Sequence, residues 1–216
     1  MRQIRPDLWE TAPDAPFPGL TTHAYLWTPP EGGNVLFYNT AGDGDLDEIE
    51  RLGGVAHQYL SHQDEVSPAL RTFGERFGAV LHTHASEAHL AAEFREPDAT
   101  FDERHTDERG IEVIPTPGHT VGSTCYLVPG DGGLRYLFTG DTIYVGRDAG
   151  RWAAGYIPDH SDRDELEATL ELLATLEPDL VVSSAFTGDD GAHLLDRPWA
   201  DCVAEALAGL RAGSAR

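Results

Sequence analysis

Lysine is absent from this sequence. All 15 basic residues are arginines, and against 37 acidic residues they leave a formal net charge of −22. A field this negative repels phosphate backbones, so nucleic acid is not an expected partner. It attracts metal cations and cationic substrates, although its commonest consequence is solubility. Cysteine is scarce: Cys125 and Cys202 make no CxxC pair and no disulfide framework. Cys125, inside the apolar run TCYLV, is expected to be a small buried hydrophobe. Long apolar runs are also missing. No stretch approaches a membrane span, and the opening MRQIRPDLWE lacks the apolar segment of a secretory signal. The expectation is a soluble, cytoplasmic protein with no membrane partner.

What is present reads as one domain over residues 1–216, large enough to bury a sizeable core. Strands are predicted over 20–28 and 34–39, at AHQYL, and over 79–84, 111–117, 123–128, 134–140 and 179–186. Helices are predicted over 43–52, 67–78, 86–94, 161–176 and 199–210. Ser67, Ser86 and Ser161 are the expected caps of three of them. Strands with helices interposed imply an α+β arrangement of sheets covered by helices.

Three of the strands end in polar residues of metal-ligand type: LSHQDE (60–65), TPGHTVGS (116–123) and LFTGDTIY (137–144). Loops that follow strands are where sites are assembled, because a sheet holds them rigidly. Singly, each has an ordinary reading as a turn or an exposed histidine. Their order along the chain is more specific. TPGHTVGS followed by LFTGDT, with the hairpin TTHAYLW…NVLFYNT ahead of them, resembles the metallo-β-lactamase-fold superfamily, which includes the glyoxalase II and persulfide dioxygenase enzymes. The resemblance runs over about residues 18 to 200. It implies a four-layer αββα sandwich: two mixed sheets packed face to face, with helices outside.

The resemblance also implies a metal site, and here the sequence departs from the family. An ungapped alignment of SHQDEVS on the family's HxHxDH motif puts His62 at the first His, Asp64 at the second, Val66 at the Asp and Ser67 at the third His. A rival alignment sets Asp64 and Glu65 on the DH pair but needs a gap. Ala185 stands where the family's final His belongs. The losses all fall on one of the family's two metal positions. The other keeps His62, His119 and Asp141, with Asp64 as a substitute fourth ligand. Two imidazoles and one or two carboxylates suit a single divalent ion, Zn2+ or Fe2+.

Three readings follow. The first is a mononuclear metal-dependent hydrolase of a small ester, thioester or amide, with Glu65 relaying protons. The second is an iron oxygenase of persulfide dioxygenase type, in which His62, His119 and Asp141 hold Fe(II). The third is a metal-free binding protein of the same fold. Of the other histidines, His82 and His84 read as structural or exposed, and His89 has no convincing zinc spacing. His160 and His193 are minor candidates to replace the missing ligand, and Trp152 and Tyr156 are candidate pocket walls.

Overall fold

The computed structural model describes residues 1–16, 18–40, 42–146, 150–187 and 190–213. Two sheets form its centre. The first has seven strands in the order Arg2–Arg5, Leu8–Glu10, Tyr25–Trp27, Val35–Phe37, His57–Tyr59, Val80–His84, Ala99–Phe101. Its first three pairings are antiparallel and its last three parallel. The second has six, in the order Ala192–Leu194, Leu180–Ser183, Arg135–Gly140, Thr124–Pro129, Glu112–Pro115, His105–Thr106. Only Arg135–Gly140 with Leu180–Ser183 is parallel there. Both sheets are therefore mixed.

Side-chain alternation dictates the layering. In Arg135–Gly140, Tyr136 and Phe138 turn inward to a core shared with Tyr126 of the neighbouring strand and with Phe37 and Tyr59 of the other sheet. Leu137 turns outward onto Leu166, Leu170, Trp199 and Val203 of the helices Arg163–Leu173 and Trp199–Gly213. Phe37 and Phe138 stack across the sheets at 4.0 Å between ring centres. The first sheet is covered by the helices Leu46–Arg51 and Ala69–Phe77, which bury Leu46, Ile49, Leu70 and Phe73. This is the expected αββα sandwich. Cys125 is fully buried, and burial pushes its thiol up to about 12. Among the described residues, no helix is long and apolar enough to cross a membrane.

The expected capping serines take wholly or partly other roles. Asp162, not Ser161, caps Arg163–Leu173 by accepting from Glu165 N at 3.0 Å. Ser161 instead bonds Ile157 N and His119 O at 3.0 and 2.9 Å. Ser86 lies inside a short 3-10 turn, where its N–H donates to the His84 ring. Ser67 precedes the cap position Pro68 and keeps part of the expected role, its Oγ accepting from Ala69 N at 3.3 Å as well as from Asn39 Nδ2 at 2.9 Å. The predicted strand 179–186 is interrupted at Ser184, and 20–28 after Thr22, because Ala185–Phe186 leaves its sheet to pair with Thr21–Thr22. That small ribbon ties the two sheets together at one end.

On the face of the first sheet that turns toward the second, Arg109 Nη2 donates to His57 Nε2 at 2.6 Å, and His57 Nδ1 donates to His82 Nε2 at 3.0 Å. His82 also stacks on Tyr59 at 4.0 Å. Burial, then the charges of His57 and Arg109, lower the His82 pKa to about 4. The unfolded chain therefore binds a proton below about pH 6.5 that the folded chain refuses until about pH 4. Stability is expected to fall as pH drops through that window, by about 3 kcal/mol from this residue. His82→Phe, which keeps the stack on Tyr59, should flatten the difference in urea midpoint between pH 6.5 and 4. An unchanged slope would show that His82 takes its proton as readily folded as unfolded.

Candidate metal centre

The three polar strand ends meet at one end of the sandwich. His62 follows the strand His57–Tyr59, and its backbone is extended before the short turn Gln63–Glu65. His119 lies in the loop after Glu112–Pro115. Asp141 directly follows Arg135–Gly140. The close approach at Gly140 requires glycine: φ is +54°, and a Cβ there would collide with Ser61 Oγ.

His62 and His119 are 4% and 2% exposed, and their rings meet edge to face at 4.8 Å. His119 Nδ1 is 2.6 Å from the Gly155 carbonyl, which can only accept, so Nδ1 carries the proton. His62 Nδ1 is 2.8 Å from Ser61 Oγ, and that hydroxyl donates onward to Glu65 Oε1. Each ring is thus held from behind by its Nδ1, and both Nε2 atoms are buried with no hydrogen-bond partner. Unpaired buried nitrogens are costly, and two aimed at one place call for an explanation.

Two carboxylates face them. Asp141 Oδ2 is 3.6 Å from His62 Nε2 and 4.0 Å from His119 Nε2. Asp64 Oδ2 is 3.9 Å from His62 Nε2 and 3.6 Å from His119 Nε2. One ligand atom from each of His62, His119 and Asp141 lies within 4.8 Å of the others. Asp141 Oδ1 accepts from Ala185 N at 2.9 Å, which fixes the carboxylate. Burial raises the Asp141 pKa, but the charge of the neighbouring His62 outweighs it and holds the group below its ordinary value. His119, 3.6 Å away, likewise lowers Asp64. Burial lowers His62, yet Asp141 and Glu65 hold its proton well above the ordinary histidine range. Without a cation, the cluster balances its acid with a proton on imidazole.

Glu65 is buried, and burial raises its pKa. Oε2 accepts from Ser61 N at 2.9 Å, and Oε1 is 3.3 Å from His62 Nδ1. It stands behind His62. The residues at the family's other metal position offer little. Val66 packs on Leu60, Leu70 and Leu81, Ser67 Oγ serves Asn39, and Ala185 gives only its backbone.

His160 Nε2 is 3.4 Å from Asp64 Oδ2, and Asp64, His119 and His160 form a second compact trio of ligand atoms. His193 is elsewhere, edge-on to Trp152 at 5.6 Å. Trp152 does not line the cavity at the metal centre: it packs against Trp199 and borders a separate recess with Tyr156 and Arg163. Tyr156 does line a recess with His119 and Asp141. His82 and His84 stay in the first sheet, bonded to His57 and Ser86. Sequence reasoning missed Ser61, Gly155 and Glu87. Buried Glu87 pins the His119 loop by accepting from Gly122 N at 2.8 Å. The bonds of Gly155 and Glu87 join positions far apart in the chain, and those of Ser61 to His62 and Glu65, though local, depend on the turn Gln63–Glu65 that brings Glu65 back onto it.

The donor set fits a divalent metal. It offers two neutral imidazole nitrogens with fixed tautomers, two carboxylates, and a bonded partner behind each histidine.

Known proteins resemble the chain in sequence and in fold. Residues 44–185 match the family model described as the metallo-beta-lactamase superfamily. A hydroxyacylglutathione hydrolase of Acidiphilium cryptum is 29% identical over 165 residues, covering 73% of this chain and 62% of that protein. One from Rhodobacter capsulatus is 25% identical, covering 83% and 69%. The chain thus spans about two thirds of the length of these relatives. Among solved structures, a metallo-beta-lactamase from Pontibacter korlensis superposes with a TM-score of 0.73 at 21% identity, covering 97% of each chain. One from Cronobacter sakazakii gives 0.67 at 16%, covering 94% and 88%. At such identities the superpositions speak for the fold alone. Taken with the match over 44–185, they lead to one conclusion: the chain belongs to the metallo-beta-lactamase superfamily.

Proposed function

We propose that the protein is a metal-dependent hydrolase of a small ester, thioester or amide, using one divalent ion held by His62, Asp64, His119 and Asp141. One observation carries this reading: two buried, unpartnered imidazole Nε2 atoms converge on the same two carboxylates. When bound, the ion supplies Lewis acidity, polarising an acyl oxygen and lowering the pKa of water.

The chain's own residues do the rest. Ser61 and Glu65 orient His62, and the Gly155 carbonyl orients His119, so that both present Nε2. Ala185 N holds Asp141 by one oxygen and leaves the other facing the histidines. Asp64, 43% exposed, is the carboxylate nearest solvent. It and His160 stand at the mouth, where the Asp64 oxygen turned away from the two histidines can hold the proton that water gives up and pass it to the leaving group. The path Glu65–Ser61–His62 makes Glu65 chiefly a positioning residue, and a proton relayed by Glu65 would travel along it. His62, His119 and Asp141 also suit Fe(II), so an iron oxygenase is the second reading.

The test is hydrolysis of a panel of small thioesters and esters before and after removal of metal with a chelator. Turnover lost on stripping and restored by Zn2+ supports the hydrolase. Turnover that survives stripping rules out the metal, and dioxygen uptake with iron favours the second reading. Glu65→Gln should weaken zinc binding by about 10–100-fold, because the bond from Ser61 that steadies His62 is disturbed. Competition against a chromophoric chelator would measure it, and an unchanged affinity would remove Glu65 from the site's support.

A further inference from the structure

The site opens into a cavity of about 680 Å³, a size suited to a small ligand. Four carboxylates line it: Asp14, Asp64, Glu65 and Asp141. They outnumber the two charges of a divalent ion. The remaining wall is largely apolar, with Pro16, Leu20, Ile157 and Ala185. Among the described residues no arginine lines this cavity, nor the adjoining recess at Tyr144 and Tyr156. Lysine cannot contribute, since the chain has none.

The arginines near this end of the fold are engaged elsewhere. Arg163 lies over the Tyr156 ring at 4.3 Å and donates to the Leu210 carbonyl, facing the helices. Arg151 and Arg197 pair with Glu205. Arg147 lies outside the described residues. The field of the whole molecule has the same sign as the cavity, at a net −22.

From this charge pattern we infer that the site takes uncharged or cationic acyl compounds and discriminates against anionic ones, acyl-glutathione thioesters included. The inference rests on the hydrolase reading for the chemistry, but not for the binding preference. A glutathione thioester carries net negative charge on its carboxylates. Bringing it to a cavity whose acids exceed its metal charge costs Coulomb energy in a partly dry site. A neutral acyl group pays no such penalty and can lay its alkyl part on Leu20 and Ile157. An ammonium gains from the field outside.

Calorimetric binding to the metal-loaded protein tests this without requiring turnover. Three probes share a 2-oxopropyl thioether, which lacks the scissile acyl–sulfur bond, and differ only in the thiol: thiocholine, N-acetylcysteamine and glutathione. The cationic and neutral probes are expected to bind tighter than the glutathione probe by roughly tenfold or more, with the gap narrowing at high salt. Ile157→Arg, at a side chain 46% exposed on the cavity wall, should raise affinity for the glutathione probe and lower it for thiocholine. Equal affinity for all three, no measurable binding by any, or preference for glutathione overturns the inference. The matching thioesters, assayed for hydrolysis, separate the two claims. The expected binding order without turnover defeats the hydrolase reading alone. Turnover fastest with the glutathione thioester defeats the charge inference alone.

Discussion

His119→Ala is expected to abolish stoichiometric metal retention while leaving the fold intact. The ring supplies a buried Nε2 with no other partner, facing both Asp64 and Asp141. Three ligands remain, but the set loses one of its two nitrogens, and affinity should fall by several orders of magnitude. The fold should survive because His119 lies in a loop, outside the stacked core of Phe37, Tyr126 and Phe138. The stability cost is the unpaired Gly155 carbonyl, about 1–3 kcal/mol. Metal content after dialysis, with a cooperative thermal melt as the control for folding, decides it. A folded variant that keeps one ion per chain would mean that the ligand assignment is wrong.

Gly155→Ala should have an effect of comparable size by a different route. Gly155 N donates to Thr142 O at 3.0 Å, and its carbonyl holds His119 Nδ1. A Cβ there would collide with the Asp141 carbonyl oxygen and sit 3.2 Å from His119 Nδ1. Because backbone rather than a flexible side chain meets the methyl, the strand end must move. Both ligands move with it. The expected loss is about 1–3 kcal/mol of stability and about 10–100-fold in zinc affinity. Unchanged affinity with unchanged melting would show that this contact does not set the geometry of the site.

Which parts of this were legible in the sequence follows from the range of the contacts. PGHT and GDT are local: glycine turns fixed by their own residues, each at the end of an apolar strand, and their order gave fold and ligands together. SHQDEV was legible once those two were in place, and the structure puts Asp64 beside His62 and His119. The supporting residues were not legible. Ser61 reads as a strand end, and its role comes from a 3-10 turn that folds Glu65 back onto it; Gly155 reads as a turn, and its role arises only when segments as distant as 119 and 155 are packed together. Ser161 misled for the same reason. It has a cap's identity and neighbourhood, but the His119 loop competes for its hydroxyl and Asp162 takes the cap. Trp152 in a Gly-rich loop reads as a wall of the site, whereas helix packing sets it against Trp199, beside a recess away from the metal centre.

The loss of ligands at Val66, Ser67 and Ala185 bears on what kind of centre this is. Val66 has joined the core beside Leu60 and Leu81. Ala185 contributes a backbone N–H to Asp141 in place of a side chain. The centre is accordingly proposed to hold one ion, and the cavity around it is acidic beyond what that ion neutralises. The most direct test is metal stoichiometry of the purified wild-type chain, by elemental analysis together with native mass spectrometry after saturation with zinc. One divalent ion per chain is expected. Two ions, or none after saturation, would contradict it.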